Sequence, residues 1–326
     1  MCTALTLTAK SGSTFFGRNM DFSFELDPEV FVVPKGYLWH SSIGKQSVEA
    51  KNKFIGTGQN FGEVIFADGV NEKGLGVAAL YFQGFAEYDS VISPEKTTIG
   101  STEVVAYLLG ECSSITDVIQ VFHQLTIVGL EDAITKTVAP LHWFVVDKTG
   151  RAITIEKTMK GLCIFENEVG VLANSPTFDW HMENLRNYMN VSPYQHSNAQ
   201  FGNVLLTPFG QGAGTIGLKG DYTSPSRFSK TVFQKSFVEC NSNLETLINC
   251  FHVLNGVSIP KGVVMTSRNT PDYTQYTTFM DLNQGEYYFK THDNPQIYKV
   301  SMKDYQGTKL ESIGKLKRLV TFSKVN

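Results

Sequence analysis

The sequence predicts an α+β sandwich, two antiparallel sheets packed between helix layers, and three observations lead there. The elements come in blocks (strands, helices, strands, helices, strands) instead of alternating strand–helix units, which argues for antiparallel sheets. Short Gly- and Asn-containing turns join many of the strands, the signature of hairpins. And 42% of the 326 residues are hydrophobic, enough to cover both faces of both sheets.

In chain order, residues 5–9 alternate with threonines, turn at Ser11-Gly12-Ser13 and return over 14–17. This hairpin sets Cys2 beside the residues that follow Gly17. Residues 31–34 and 37–40 flank a Lys35-Gly36 turn, and 64–66 and 76–82 flank Asn71-Glu72-Lys73-Gly74. Two helices follow. Ser101 or Thr102 caps a run through Val104, Val105, Leu108 and Leu109, and Ser114 caps Ile115, Val118, Ile119 and Phe122. Strands resume at 141–146, 152–156, 162–165 and 170–172. A second helical block covers 182–189, a helix from Ser226 through Phe233, and 243–254. Strands at 273–281, 287–291 and 297–300 close the pattern. With no repeat, low-complexity stretch or linker, the expectation is a single domain over 1–326.

The net charge of −3 argues against nucleic acid as a partner, and no run is long and apolar enough to span a membrane. Lys315, Lys317 and Arg318 read as a solvated face. No secretory signal is recognisable, so a cytoplasmic, thiol-preserving location is expected. Cys112, Cys163, Cys240 and Cys250 are scattered, without C-x-x-C or a histidine at metal spacing. They read as small buried hydrophobes, with no metal and no cofactor expected. The run from Gly212 to Gly217 fits G-x-G-x-x-G, but both flanks are turn-like, so it reads as a glycine-rich loop and not a dinucleotide site.

Chemistry concentrates at the N-terminus. If Met1 is removed, Cys2 presents a thiol and a free α-amine on one residue, a nucleophile with its base attached. Arg18 and Asp21, at the end of the returning strand, fall near it. The cation favours a thiolate and the carboxylate can orient the terminal ammonium. Asn174, at a strand end, offers an amide N–H to an oxyanion. Arg227 opens the helix that follows Ser224-Pro225-Ser226.

Together these segments resemble the choloylglycine hydrolase family of N-terminal nucleophile hydrolases, which includes penicillin V acylases and bile salt hydrolases. The likeness runs through Met1-Cys2-Thr3, Phe16-Gly17-Arg18-Asn19-Met20-Asp21, Gly69-Val70-Asn71-Glu72-Lys73-Gly74-Leu75-Gly76, Pro140-Leu141-His142-Trp143, Asn174-Ser175-Pro176-Thr177-Phe178, Gly217-Leu218-Lys219-Gly220-Asp221 and Ser224-Pro225-Ser226-Arg227-Phe228. The resemblance implies a four-layer αββα fold, a homotetramer, removal of Met1, and Cys2 as nucleophile with Arg18, Asp21, Asn174 and Arg227 around it. It adds the backbone N–H of Tyr81 as an oxyanion donor. Where bile salt hydrolases usually read Gly-Leu-Asn-Phe, this chain reads Ala79-Leu80-Tyr81-Phe82, with the Tyr of penicillin V acylases.

The leading expectation is a penicillin V acylase-like amidase for linear, non-peptide C–N bonds. Its small-molecule substrate joins a bulky apolar acyl group to a small polar amine. Met20, Phe22, Phe24, Phe61 and Leu141 would bind the substrate, whose polar end would meet Arg18 and Arg227. The alternatives are a bile salt hydrolase and a non-catalytic binding protein on the same fold.

Overall fold

The computed structural model describes residues 1–43, 47–92, 95–131 and 134–322. Within them, fourteen strands build two large sheets. In chain order they are β1 (Cys2–Thr8), β2 (Thr14–Phe22), β3 (Glu29–Val33), β4 (Phe54–Asn60), β5 (Val64–Asn71), β6 (Leu75–Tyr81), β7 (Leu141–Asp147), β8 (Ala152–Thr158), β9 (Gly161–Glu166), β10 (Val171–Leu172), β11 (Tyr273–Asp281), β12 (Glu286–Thr291), β13 (Tyr298–Ser301) and β14 (Glu311–Lys315). The helices are α1 (Val104–Glu111), α2 (Ile115–Gln124), α3 (Phe178–Asn184), α4 (Ser224–Phe237) and α5 (Asn243–Asn255).

Sheet I runs β10-β1-β2-β11-β12-β13 and sheet II runs β9-β8-β7-β6-β5-β4-β3-β14, every pairing antiparallel. Helices α4 and α5 pack on the outer face of sheet I, and α1 and α2 on that of sheet II, while β1 and β2 meet β6 between the sheets. Phe16 of β2 meets Phe144 of β7 edge-on across that space, centroids 5.4 Å apart. The αββα order follows because each sheet has two apolar faces to cover, and one facing sheet leaves one face for helices.

The structure departs from the local reading in several places. Residues 38–40 pair with 47–49, while β3 pairs with β4 and β14, so the strands around Lys35-Gly36 do not form a hairpin together. Helix α1 follows a 3₁₀ turn at Ser101–Glu103, and the Glu103 carboxylate, not Ser101 or Thr102, accepts from Gly100 N at 2.8 Å. Ser114 does cap α2, accepting from Asp117 N. The helix expected at 182–189 starts earlier, at Phe178, which buries Phe178 and His181, and ends in a 3₁₀ turn at Leu185–Tyr188. Helix α4 begins at Ser224, because Pro225 has no N–H to lose in a first turn. Cys112 and Cys250 are buried, but Cys163 and Cys240 are only half-buried.

The hairpin of β1 and β2 places the chemistry-bearing side chains. Its register sets Cys2 opposite Met20 and Ala4 opposite Arg18. Strand pleating then sends Arg18 and Met20 between the sheets, and Asn19 and Asp21 toward the helices. Accordingly Arg18 Nη1 donates to Ala79 O of β6, and Asn19 Nδ2 donates to Leu254 O of α5.

Gly17 keeps this hairpin against β11. A Cβ there would lie 2.0 Å from Thr278 O and 2.5 Å from the Phe279 ring, which itself packs on Phe251 of α5. Gly17→Ala is therefore expected to cost about 2 kcal/mol, read as a lower denaturation midpoint. An unchanged midpoint would mean that β2 and β11 separate without penalty.

Candidate active site

Cys2 is the first residue of β1 and is only 3% exposed. A buried guanidinium approaches it from each side of sheet I. Between the sheets, Arg18 Nη2 donates to Cys2 Sγ and to Met20 Sδ (3.3 Å), and Nη1 donates to Ala79 O (3.2 Å). Burial works against the Arg18 charge, but Cys2, Tyr276, Asp68 and Asp21 outweigh it, so its pKa is raised and it stays charged. Asp68 Oδ2 lies 3.9 Å from Arg18 Nη1. The Asp68 carboxylate also accepts from Tyr287 Oη and Thr278 Oγ1. Burial nevertheless pushes Asp68 up to about 6, against the pull of Arg18 and those hydroxyls.

From the helix side, Arg227 of α4 reaches the main chain of β1. Its Nη1 donates to Cys2 O (2.6 Å) and Thr3 Oγ1, its Nη2 to Asn174 Oδ1 (2.7 Å), and its Nε to Tyr222 O (3.0 Å). Asp21 Oδ2 lies 3.7 Å from Arg227 Nη1. Burial lowers the Arg227 pKa, opposed by Asp21, and raises that of Asp21, opposed by Arg227. Asp21 Oδ1 accepts from Thr274 Oγ1 at 2.5 Å, but the buried Oδ2 has no hydrogen-bond partner.

Asn174 follows β10 and ties these parts together. Its Oδ1 accepts from Cys2 N at 2.7 Å as well as from Arg227. Its Nδ2 donates to Tyr81 O at 2.7 Å, using one of two N–H groups. All six residues expected to carry the chemistry (Cys2, Arg18, Asp21, Tyr81, Asn174 and Arg227) thus fall in one connected network.

A layer behind Asn174 escaped the sequence reading. His142 Nε2 contacts Ala173 O at 3.0 Å and its Nδ1 contacts Glu156 Oε1 at 3.2 Å, while the ring stacks on Phe82. His181 Nε2 contacts Asn174 O at 2.8 Å, its ring stacked on Phe228. Burial drives the His181 pKa down to about 4, so the ring is neutral and Nε2 carries the proton that it donates to Asn174 O. The Pro140-Leu141-His142-Trp143 segment was the one signal available for this layer.

Two cavities meet at this network. An apolar cleft takes in Cys2, Arg18 and Tyr276, and Met20, Phe22, Phe61 and Leu141 among the expected substrate contacts. The fifth, Phe24, lies instead in a neighbouring polar cavity with Asn174, Ser175, Gln83 and Met1. Phe22 and Tyr81 line both, their rings 5.7 Å apart. Arg18 and Arg227 are 0% and 1% exposed, and each makes four hydrogen bonds to protein acceptors. Arg18 thus contacts the Cys2 sulfur and Arg227 the Cys2 carbonyl. Among the described residues that line the polar cavity, Arg268 is the basic side chain. Among the described residues no group of three or more His, Cys, Asp or Glu is placed to hold a metal.

Three comparisons bear on this geometry. The family model for linear amide C–N hydrolases, choloylglycine hydrolase family, matches residues 2–313. A bile salt hydrolase/transferase from Clostridium perfringens is 36% identical over 304 residues, 93% of this chain and 92% of the relative. The crystal structure of the C2A mutant of conjugated bile acid hydrolase from Clostridium perfringens superposes with a TM-score of 0.94 at 34% identity, covering 100% of both chains. Penicillin V acylase from Agrobacterium tumefaciens, at 20% identity, TM-score 0.77 and coverage of 96% and 91%, shares the fold.

The His181 contact gives a pH signature. Its folded pKa of about 4 lies below the ordinary 6.5. Between those values the unfolded chain binds a proton that the native state refuses, so stability is lost as pH falls from 6.5 toward 4. His181→Gln removes this titration. The stability advantage of wild type over the variant is expected to shrink by up to about 3 kcal/mol between pH 7 and pH 4 in paired denaturant titrations. Parallel pH curves would remove His181 as a titrating support of the Asn174 loop.

Proposed function

The chain belongs to the choloylglycine hydrolase family of linear amide C–N hydrolases, and from that premise we propose that it hydrolyses conjugated bile salts, cleaving a bulky apolar acyl group from a small polar amine. The observation that carries the proposal is that an apolar cleft lined by Cys2 and a more polar cavity lined by Asn174 adjoin across Phe22 and Tyr81, which line both. An amide laid across that junction has its acyl group beside Met20, Phe22, Phe61 and Leu141 and its amine on the polar side. The sequence leaned on Tyr81 toward penicillin V. The relative named for bile salts matches at 36% identity and the penicillin V acylase structure at 20%, so the weight moves to the bile-salt reading.

In the proposed mechanism removal of Met1 makes Cys2 N the terminal amine. Cys2 Sγ, beside Arg18, attacks the amide carbonyl, and a C–S bond forms as the carbonyl π pair moves onto oxygen. That oxyanion takes the second N–H of Asn174 Nδ2 and the backbone N–H of Tyr81. The Cys2 amine accepts the thiol proton and returns it to the departing amine as the C–N bond breaks. Water, deprotonated by the same amine, then hydrolyses the thioester. Asp21 Oδ2, paired with Arg227 at 3.7 Å but without a hydrogen bond, and Asn174 Oδ1 are the acceptors that orient the amine.

The test is side-by-side turnover of glycocholate, taurocholate and penicillin V, with intact mass reporting loss of Met1. Hydrolysis of both bile salts, with penicillin V at least about tenfold slower in kcat/KM, and its abolition in Cys2→Ala are the expected results. A Cys2→Ala protein of wild-type rate overturns the mechanism. Penicillin V as the better substrate returns the reading that Tyr81 suggested.

We place the enzyme in the cytoplasm, where a reducing environment keeps the Cys2 thiol free. No described helix is long and apolar enough to cross a membrane. We also propose a homotetramer built through the arm formed by the Ala199–Phe201 and Val204–Leu206 strands. Its apolar side chains stand in solvent, with Phe201 70% and Leu205 61% exposed, an arrangement that favours burial against another copy. Light scattering is expected to give four times the chain mass, and a smaller species for the Phe201→Glu, Leu205→Glu double variant. A wild-type monomer refutes the arm's role.

A further inference from the structure

The Pro140-Leu141-His142-Trp143 segment takes no part in the mechanism above, yet its histidine touches the neighbours of both oxyanion donors. His142 lies on β7, which pairs with β6 so that Leu141 faces Tyr81. The ring stacks on Phe82, the residue after Tyr81, with centroids 4.4 Å apart and planes 6° from parallel. Its Nε2 donates to the carbonyl oxygen of Ala173, the residue before Asn174, at 3.0 Å. Its Nδ1 lies 3.2 Å from Glu156 Oε1 on β8. That same oxygen accepts from Phe178 N at 3.0 Å, at the start of α3. His142 and Glu156 therefore grip the Asn174 segment before and after its turn, at 173 and at 178. Hydrogen-bond roles fix the protons. A carbonyl oxygen only accepts, so Nε2 carries one, and a second lies between Nδ1 and Oε1. On nitrogen it gives an imidazolium facing a carboxylate, and on oxygen two neutral groups. Either placement leaves the pair without net charge, as burial to 0% and 1% exposure demands.

We propose that His142 and Glu156 are positioning residues that set the spacing of the two oxyanion donors, the Asn174 amide and the Tyr81 backbone N–H. The proposal rests on the amidase reading and adds to it the device that holds its oxyanion hole together. The two donors belong to different sheets: Tyr81 ends β6 of sheet II, and Asn174 follows β10 of sheet I. One direct tie joins them, Asn174 Nδ2 to Tyr81 O at 2.7 Å, and it takes up an N–H of the catalytic amide. The His142–Glu156 pair supplies a second tie from β7 and β8 of sheet II and takes up neither donor. Neither side chain lines the apolar cleft or the polar cavity, so their effect on the reaction passes through Phe82, Ala173 and Phe178. A donor displaced by about 1 Å costs on the order of a hundredfold in rate, which makes that second tie matter to turnover.

Glu156→Gln separates position from bulk. An amide oxygen at the Oε1 site can serve both Phe178 N and Nδ1 only by charging the ring, and an amide nitrogen there turns a donor on Phe178 N. With glycocholate as substrate, kcat is expected to fall roughly ten- to a hundredfold while KM stays near the wild-type value. Alkylation of Cys2 by iodoacetamide, read by peptide mass, needs the thiolate and no oxyanion donor, so its rate is expected to remain that of wild type. His142→Gln should show the same split. Ile155→Val, at the neighbouring buried position on the opposite face of β8, loosens the core without touching the pair and should leave kcat unchanged. An unchanged kcat in folded Glu156→Gln overturns the proposal and leaves the amidase reading standing. So does a loss carried by KM, an equal slowing of Cys2 alkylation, or an equal loss in Ile155→Val. A further measurement needs no variant. Among the described residues His142 is the histidine within ion-pair distance of a carboxylate, so wild type is expected to show one strongly downfield proton resonance from the Nδ1–Oε1 contact. Its absence overturns the pair even where neither variant folds, and its presence then supports it. Wild type that cleaves no amide refutes the amidase reading and takes the positioning role with it.

Discussion

Two guanidiniums buried on opposite sides of one strand residue set the terms for the rest of this structure. Arg18 and Arg227 are both removed from solvent. A cation so placed is tolerated only when anions and acceptors replace its water. The need for those partners accounts for much of the surrounding polar core. Asp68, held by Tyr287 and Thr278, lies behind Arg18. Asp21, held by Thr274, lies behind Arg227. The carbonyls of Ala79 and Asn19 accept from Arg18, and those of Cys2 and Tyr222, with Thr3 Oγ1 and Asn174 Oδ1, accept from Arg227. The strand pleat makes this possible: β2 sends Arg18 to one face and Asp21 to the other, and Cys2 lies at the end of β1 between them.

The division of labour follows from what each cation touches. Arg18 meets the sulfur and Arg227 meets the main chain. On the proposed mechanism an anion forming on Sγ finds a positive charge already in place, and the Cys2–Thr3 backbone is clamped so that the sulfur stays on the wall of the apolar cleft. Asn174 completes the clamp, and the His181 ring beneath it holds the loop by a hydrogen bond to Asn174 O, while burial keeps that ring neutral.

The strongest local signals in the chain were also the most faithful. The Ser11-Gly12-Ser13 turn gives the first hairpin, since Gly12 adopts φ +95°, and that hairpin alone brings Cys2 to Arg18 and Asp21. Strand β4 gave no such signal because Gly56 and Gly58 interrupt its pattern. They are there for closeness, as a Cβ on Gly56 would lie 2.3 Å from Asp68 O. Edge strand β14, short and partly exposed, was equally silent. For the site, residue types at motif positions were readable and burial was not. Nothing local distinguishes an arginine that meets solvent from one sealed under a helix, so the burial of Arg18 and Arg227 was not legible. Asp68, His142 and His181 went unassigned for the same reason: their partners come from distant segments.

Met1 links the chemistry to the binding site. Its carbonyl accepts from Asp21 N at 2.9 Å, its amine approaches Asp272, and its side chain lines the polar cavity. While Met1 is attached, Cys2 N is a peptide nitrogen, able to donate to Asn174 but unable to accept a proton. On the proposed reading, one cleavage then does two things. It turns that nitrogen into a base to be oriented by Asp21 Oδ2, which makes no hydrogen bond, and it clears the part of the polar cavity that a departing amine must enter. The base that protonates the leaving group and the space that receives it therefore arise together. The hydrogen bonds that hold the Cys2 side chain, its carbonyl and Asn174 come from residues other than Met1, so the site is assembled before it is switched on.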